Sequence, residues 1–374
     1  MTVHQKQQEQ EQEKELLKLR DKIDAIDQQM HQLLNQRADC AQQVAQVKEK
    51  YQGVTDAVFY RPEREAQVLR KVMERNKGPL EDKAVARLFR EVMSVCLAHE
   101  KPLQVAYLGP AGAFAQLASH KHFGSSAVTH AVNSLDQVFK EVDSSAVNYG
   151  VVPIDNSNQG VAVQSLNLFK RYPLNICGEV ELAVQLHLFS SHSQSLPEIT
   201  KIYASSETLS HCSQWLDEHC PTADRIALTS SEQAQKMTET EQHAAVIAGD
   251  GTLTGEWRVI AQNISSSNEH KARFLIIGRQ EISPSGHDKT SILIATKDQP
   301  GALYSLLTPF REHEISLTRI DTHTGESALG TDCSVFYIDF EGHRDDQRIS
   351  TVLAHLEESS VEIKVLGSYP RAVL

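Results

Sequence analysis

The stretch from Leu16 to Lys48, LLKLRDKIDAIDQQMHQLLNQRADCAQQVAQVK, decides how the first part of this chain folds. Its apolar residues stand at Leu16, Leu19, Ile23, Ile26, Met30 and Leu33, and the series resumes at Cys40, Val44 and Val47. Steps of three and four throughout follow one face of an α-helix. The position between the two runs is Arg37. A guanidinium in a buried seam loses its hydration, which is costly unless an anion or a paired carboxylate meets it. Arg37 is therefore expected to belong to an anion-binding site.

The same helix carries Arg20 and Lys48. At 100° per residue Lys48 returns almost to the face of Arg37, whereas Arg20 lies roughly 100° away and cannot readily serve the same pocket. Each of the two, taken alone, also reads as a solvated flank charge. A helix of about thirty-five residues would run about 50 Å, long for a small monomeric bundle, and its far end is expected to reach a partner subunit.

Two shorter helical patterns follow. From Arg61 to Asn76, entered through Pro62, Glu65 shares a face with Leu69 and Val72. From Leu80 to Glu100, the residues Val85, Phe89, Val92, Cys96 and Glu100 succeed one another along one side. Two acids thus fall on apolar faces, and Arg37 and Lys48 are their expected partners.

The whole chain has 374 residues, enough for two or three domains with substantial cores. Its net charge of −12 argues against nucleic acid or anionic membrane as a partner. No apolar run approaches a membrane span, and the polar Gln/Glu tract from Met1 to Glu15 has no signal-peptide pattern, so a soluble cytoplasmic protein is expected. The six cysteines, at 40, 96, 177, 212, 220 and 333, show no disulfide or metal spacing. His211-Cys212 and His219-Cys220 sit within a pattern (Leu209, Cys212, Trp215, Leu216, His219) that reads as one amphipathic helix rather than a metal site.

After Pro102 the period changes. Gln104 to Leu108 reads as a strand entering the turn Gly109-Pro110-Ala111-Gly112, with a helix from Phe114 to Phe123. Tyr149 to Ile154 reads as a buried strand leading into Asp155-Asn156-Ser157-Asn158-Gln159-Gly160. Strands at Glu181 to Phe189, Lys201 to Ala204, Ala244 to Ala248 and Phe274 to Gly278 alternate with helices, as in an α/β domain whose ligand lies at strand ends. From Thr290 to Leu366 the pattern is strand (291–296), helix (301–313), strand (316–321), strand (333–340), helix (348–356) and strand (363–366), in the order βαββαβ.

The first hundred residues resemble the all-helical chorismate mutase domain. The resemblance implies a three-helix, intertwined dimer in which Arg20 of the partner subunit joins Arg37, Lys48, Arg61, Arg64, Glu65, Cys96 and Glu100 around the substrate. Arg61 stands where the family can have an acid, and Cys96 where it can have a serine. The reaction is the rearrangement of chorismate to prephenate, which needs no cofactor or proton transfer. The protein must hold a flexible dianion in its reactive conformer and stabilise charge developing on the ether oxygen. Arginines suit the two carboxylates because a guanidinium binds them bidentately. Lys48 would donate to the ether oxygen, and Glu100 could do so only when protonated.

Residues 102–282 resemble the prephenate dehydratase domain, a two-lobed α/β fold with its site in the cleft, through the Gly-Pro-x-Gly turn, the Val151-Val152-Pro153-Ile154 strand, Gly178-Glu179 and Arg273-Phe274. The cleft residues implied are Asp155, Asn156, Ser157, Gly160, Glu207, Ala272, Arg273 and Phe274. Several depart from the family pattern. Ala113 and Ala115 replace hydroxyl residues, Asp155-Asn156-Ser157 replaces Glu-Asn-Thr/Ser, and Ser205-Ser206-Glu207 replaces His-Pro-Gln. Ala272 replaces the threonine that would donate a proton to the departing hydroxyl. Two readings stay open: a mutase fused to a disabled or purely binding domain, or a fully bifunctional enzyme yielding phenylpyruvate.

Residues 289–369 resemble the ACT regulatory domain, which implies a phenylalanine site between paired subunits. Gly301, Ala302 and Leu303 keep its first ligand motif, while Asp321-Thr322-His323-Thr324 replaces Glu-Ser-Arg-Pro. The whole chain, residues 1–101 included, is thus expected to be a multidomain homodimer or higher homo-oligomer acting on chorismate and prephenate.

Overall fold

Three helices occupy the first hundred residues: α1 (Val3–Gln52), α2 (Pro62–Arg75) and α3 (Asp82–Glu100). The computed structural model describes residues 3–52, 60–109, 114–154, 159–183, 185–193, 195–228, 231–249, 253, 255–265, 271–297, 299–323, 333–359 and 362–374. At 50 residues, α1 is about 75 Å long and exceeds the expected thirty-five because the Gln, Glu and Lys of the N-terminal tract are good helix formers. Helix α2 begins where Arg61 is extended (φ −126°, ψ 97°) and Pro62 takes the first helical position, as proline's fixed φ favours.

The expected buried seam of α1 is open in the single chain. Ile23 and Met30 are 55 % exposed and Leu33 63 %. Among the described residues of α1, the half-buried ones lie between Arg37 and Lys48, where α3 packs against it. The expected inner face of α3 is also corrected. Cys96 of the expected face is buried, but Phe89 is exposed and Ala86 and Ser94 are buried instead, because α3 must face α2 and the following domain as well as α1.

The middle of the chain forms two five-stranded sheets. The first contains β1 (Gln104–Leu108), β2 (Val128–Val132), β3 (Tyr149–Pro153), β4 (Asn175–Ala183) and β10 (Lys271–Gly278) in the order β2-β1-β3-β10-β4. The second contains β5 (Leu186–Ser190), β6 (Lys201–Ala204), β7 (Asp224–Ala227), β8 (Ala244–Gly249) and β9 (Arg258–Ala261) in the order β7-β6-β8-β5-β9. Helices α4 (Phe114–Phe123), α5 (Leu135–Asp143) and α6 (Gln159–Arg171) accompany the first sheet, and α7 (Ser206–His211), α8 (Ser213–His219) and α9 (Ser231–Thr240) the second. Strands β1, β2 and β3 are parallel, and β10 returns antiparallel between β3 and β4. The single strand expected from Glu181 to Phe189 is two, β4 and β5, because the chain passes there from one sheet to the other. The single helix expected around Leu209 to His219 breaks at Cys212 (φ −99°, ψ 2°), where Ser213 Oγ donates to the Ser210 carbonyl at 2.8 Å and competes with helix continuation.

The C-terminal unit has the expected βαββαβ order: β11 (Asp288–Lys297), α10 (Ala302–Glu312), β12 (Leu317–His323), β13 (Cys333–Glu341), α11 (Gln347–Ser359) and β14 (Glu362–Pro370). Its antiparallel sheet runs β12-β13-β11-β14. Strand alternation divides its residues. Ile292, Ile294, Phe336 and Ile338 pack on α10 and α11 with Phe310 and Leu356. Leu293, Ala295, Val335 and Tyr337 join one core with Phe139 of α5 and Phe169 of α6. The helical unit is fastened as well. Arg70 of α2 donates to the carbonyls of Ser285 and His287 at 3.1 and 3.0 Å, and the Tyr60 ring lies 5.3 Å from Phe123 and 5.5 Å from Tyr149.

Candidate active site

Each of the first three helices contributes one stripe to a cavity of about 270 Å³. Helix α1 supplies Arg37, Ala41 and Lys48; Arg61, Arg64, Glu65 and Val68 come from the start of α2; Met93, Cys96, Leu97 and Glu100 come from α3. Each set follows spacings of three, four or seven that keep residues on one helical face. Seven of the eight residues expected around the substrate are brought together in this way. Arg20 is not: it is exposed and lies seventeen residues earlier on the same helix, about 25 Å along its axis.

The cavity's charges are partly desolvated. Burial raises the Glu100 carboxyl above its ordinary range, against the opposing influence of Lys48, Arg37 and His99. Burial lowers the Lys48 ammonium, aided by Arg61 and opposed by Glu100 and Glu63. Arg61 itself lies 3.5 Å from Glu63, Nη1 to Oε1. The resulting set holds cationic groups for carboxylates, one ammonium donor and, in Glu100, a carboxyl biased toward its proton-bearing form.

Glu65 has a different partner from the one expected. Its Oε1 accepts from Arg90 Nε at 3.0 Å, with 13 % and 11 % of the two side chains exposed. Burial raises its carboxyl, and Arg90 and a hydrogen bond from Tyr60 offset that shift only in part. Arg37 and Lys48 share the cavity with Glu65, but its ion-pair partner is Arg90. The signal available in the sequence was the stripe Ala86, Arg90, Ser94, Leu97, obscured by the more apolar series through Phe89.

In the α/β region, Ala272 and Phe274 project from the same face of β10, where Ala272 packs on the core that contains Phe274 and pairs across the sheet with Leu182 of β4. Phe114 closes on the second lobe, since a Cβ built on Gly249 would lie 2.5 Å from its ring. Gly160 falls in α6 and Glu207 in α7, whose first turn is capped by Ser205 Oγ accepting from Thr208 N–H at 3.1 Å. Pro110 to Ala113, Asp155, Asn156, Ser157 and the side chain of Glu207 lie outside the described residues.

Arg273 does not join that cleft. It occupies the opposite face of β10 from Ala272 and is 8 % exposed. Its Nη2 lies 2.8 Å from Glu179 of β4, and its Nη1 lies 2.6 Å from Asp339 of β13. Lys289 of β11 donates to both Glu179 oxygens at 2.7 and 2.8 Å. Burial would raise the Glu179 carboxyl, but Arg273 and Lys289 prevail and hold it low. The motif arginine is thus an ionic link between the first sheet and the C-terminal sheet, a role invisible without knowing what covers that face.

In the C-terminal unit Gly301 stands at the N-cap of α10 with φ 84°, a left-handed conformation that glycine adopts without penalty. Ala302 opens the helix and Leu303 is 42 % exposed. Asp321 is ion-paired to Arg319, whose Nη2 donates to the Ile154 carbonyl at 3.0 Å. Thr322 is exposed, and Thr324 lies outside the described residues.

Two family models match the chain: chorismate mutase type II over residues 19–101 and prephenate dehydratase over residues 105–282. A bifunctional chorismate mutase/prephenate dehydratase of Pseudomonas aeruginosa is 46 % identical over 96 % of this chain and 99 % of its own length. The protein of that name from Neisseria gonorrhoeae is 40 % identical over 96 % and 98 %. Among solved structures, a prephenate dehydratase of Arthrobacter aurescens in complex with L-Phe is 26 % identical with a TM-score of 0.65, covering 72 % of this chain and 90 % of that one. With both domain models matched and relatives of this identity aligned almost end to end, the chain belongs to the bifunctional chorismate mutase/prephenate dehydratase family.

Proposed function

We propose that the three-helix cavity rearranges chorismate to prephenate, with Arg37, Lys48 and Glu100 as its catalytic groups and Arg61, Arg64, Glu65 and Cys96 shaping the substrate site. The convergence of Arg37, Lys48 and Glu100 on one cavity carries this reading. Arg37 and Arg64 clamp carboxylates. Lys48 donates to the ether oxygen, and Glu100 donates to it when protonated, so that both stabilise the charge that develops there. The open apolar stripe of α1 supports an intertwined homodimer in which Arg20 of the partner subunit completes the cavity.

The proposed domains are 1–101 (mutase), 102–282 (dehydratase-like) and 289–369 (ACT type), acting in the cytoplasm in phenylalanine biosynthesis. Ala272 offers no proton to a leaving hydroxyl, and loss of a positioned acid costs about 10²- to 10⁴-fold. Prephenate is therefore the main product, and the dehydratase-like domain is impaired or serves to bind. The names of the relatives favour the second reading, a fully bifunctional enzyme. The βαββαβ unit, with Gly301, Ala302, Leu303, Asp321 and Thr322 at its ligand positions, and the L-Phe complex of the Arthrobacter dehydratase support an amino-acid effector. The deciding experiment supplies prephenate to the purified protein and follows phenylpyruvate. Turnover on the order of 1 to 10³ s⁻¹, the ordinary enzymatic range, would establish the bifunctional reading and overturn the impaired one.

A further inference from the structure

We infer that Arg90 is a positioning residue for the mutase, holding the Glu65 carboxylate in the cavity wall while anchoring that wall to helix α4 of the dehydratase-like domain. The inference rests on the mutase reading of the cavity. Arg90 is absent from the cavity lining, whereas Glu65 belongs to it, so Arg90 acts through Glu65 rather than on the substrate.

The geometry is a shared guanidinium. Nε donates to Glu65 Oε1 at 3.0 Å, and Nη1 donates to the Lys121 carbonyl at 2.8 Å. Lys121 lies in the last turn of α4, where carbonyls lack an intrahelical donor and a basic side chain can supply one. The planar fork fixes the directions of both bonds at once. Neighbouring His122 does not substitute for this charge, since burial and then Arg90 depress it to about 3. Glu65 further lines the small space, about 30 Å³, between α2, α4, β4 and residues 370–374. One wall of the mutase cavity is therefore built against the next domain.

A carboxylate facing the site of a dianionic substrate must be neutralised and held still. Without Arg90 the buried Glu65 would either repel the substrate or rotate toward solvent or a proton. A merely structural clamp would instead weaken domain docking whatever stood at position 65. A mutant cycle separates the two.

The test uses the full chain, with mutase kcat and KM measured for Arg90→Met, Arg90→Lys and Glu65→Gln, alone and combined, and circular dichroism as a check on folding. Arg90→Met is expected to lower kcat/KM about tenfold or more, through KM first, as expected when a buried partner is removed. In the Glu65→Gln background the same substitution should cost almost nothing more. Arg90→Lys, which retains a charge for Glu65 but not the fork, should fall between wild type and Arg90→Met. Should Arg90→Met fail to fold, the pair Arg90→Lys and Arg90→Lys/Glu65→Gln carries the same comparison. Unchanged kcat/KM in the folded Arg90 variants, or an equal loss in both backgrounds, overturns the inference. Failure of the mutase reading is recognised separately, by Arg37→Ala retaining full turnover in the same assay.

Discussion

Arg273 Nη1 and Asp339 Oδ2 meet at 2.6 Å across the boundary between the dehydratase-like sheet and the C-terminal sheet, with 9 % and 0 % of their side chains exposed. With Glu179 and Lys289 they form a buried ionic cluster between two domains. Such a cluster contributes little net stability over an apolar interface but is costly to break from one side. Any motion of the C-terminal sheet that separates β13 from β10 must break it.

Arg273→Met should therefore lower stability by about 3 to 5 kcal/mol, the cost of leaving buried partners unpaired. Denaturant unfolding of the two proteins measures it. The cluster should also weaken at acid pH. Glu179 is held below its ordinary range by Arg273 and Lys289, so its contribution is present above the unfolded-state pKa and is lost as pH falls through the folded one. A midpoint that Arg273→Met leaves untouched, from neutral to acid pH, would show the contact to be energetically silent.

Arg37→Ala should lower mutase kcat/KM by about 10²- to 10³-fold, the usual loss for a preorganised donor facing developing or bound charge. Arg37 is half-buried and at the cavity edge of α1, so helical content and oligomeric state should be retained. Steady-state kinetics beside circular dichroism decide the matter, and near-normal turnover would move the site elsewhere.

The rate should depend on pH with a definite sign. Burial raises the Glu100 carboxyl and lowers the Lys48 ammonium, and the active forms are the protonated ones. Activity is then greatest below the folded-state pKa of Glu100 and declines as pH rises through it, with a second decline as Lys48 loses its proton. Glu100→Gln should remove the first decline and leave the second. A wild-type profile flat from acid to alkaline pH would mean that neither proton matters.

Prephenate should accumulate when chorismate is supplied. The double variant Ala272→Thr/Glu207→Gln restores a hydroxyl and removes a carboxylate, and phenylpyruvate formation should rise in it by more than the product of the single effects. A gain above that product is what two groups acting on one transition state would give. Ordinary dehydratase turnover in the unmodified protein would instead show that the cleft works without either group.

Much of the architecture was legible because period is a local property. The alternation of three and four from Leu16 onward marked α1 and placed Arg37 and Lys48 on one face, and α4 and β1 fell at Phe114–Phe123 and Gln104–Leu108 as expected. The βαββαβ order of the last unit was equally local. The boundary between β4 and β5 was missed because both strands are apolar enough to read as one, and only the sheet each joins distinguishes them.

By itself the sequence determined which residues share a helix face or a strand face, since backbone geometry repeats every 3.6 or 2 residues whatever surrounds it. It also put Arg37, Glu65 and Glu100 on apolar faces, while leaving Lys48 open between that face and a solvated flank. Only the tertiary structure decided the pairing. Glu65 meets Arg90 rather than Arg37 or Lys48, and Arg273 turns from the cleft toward Glu179 and Asp339. Ion pairs join groups brought within about 4 Å by packing, and the order of residues along the chain does not encode that distance.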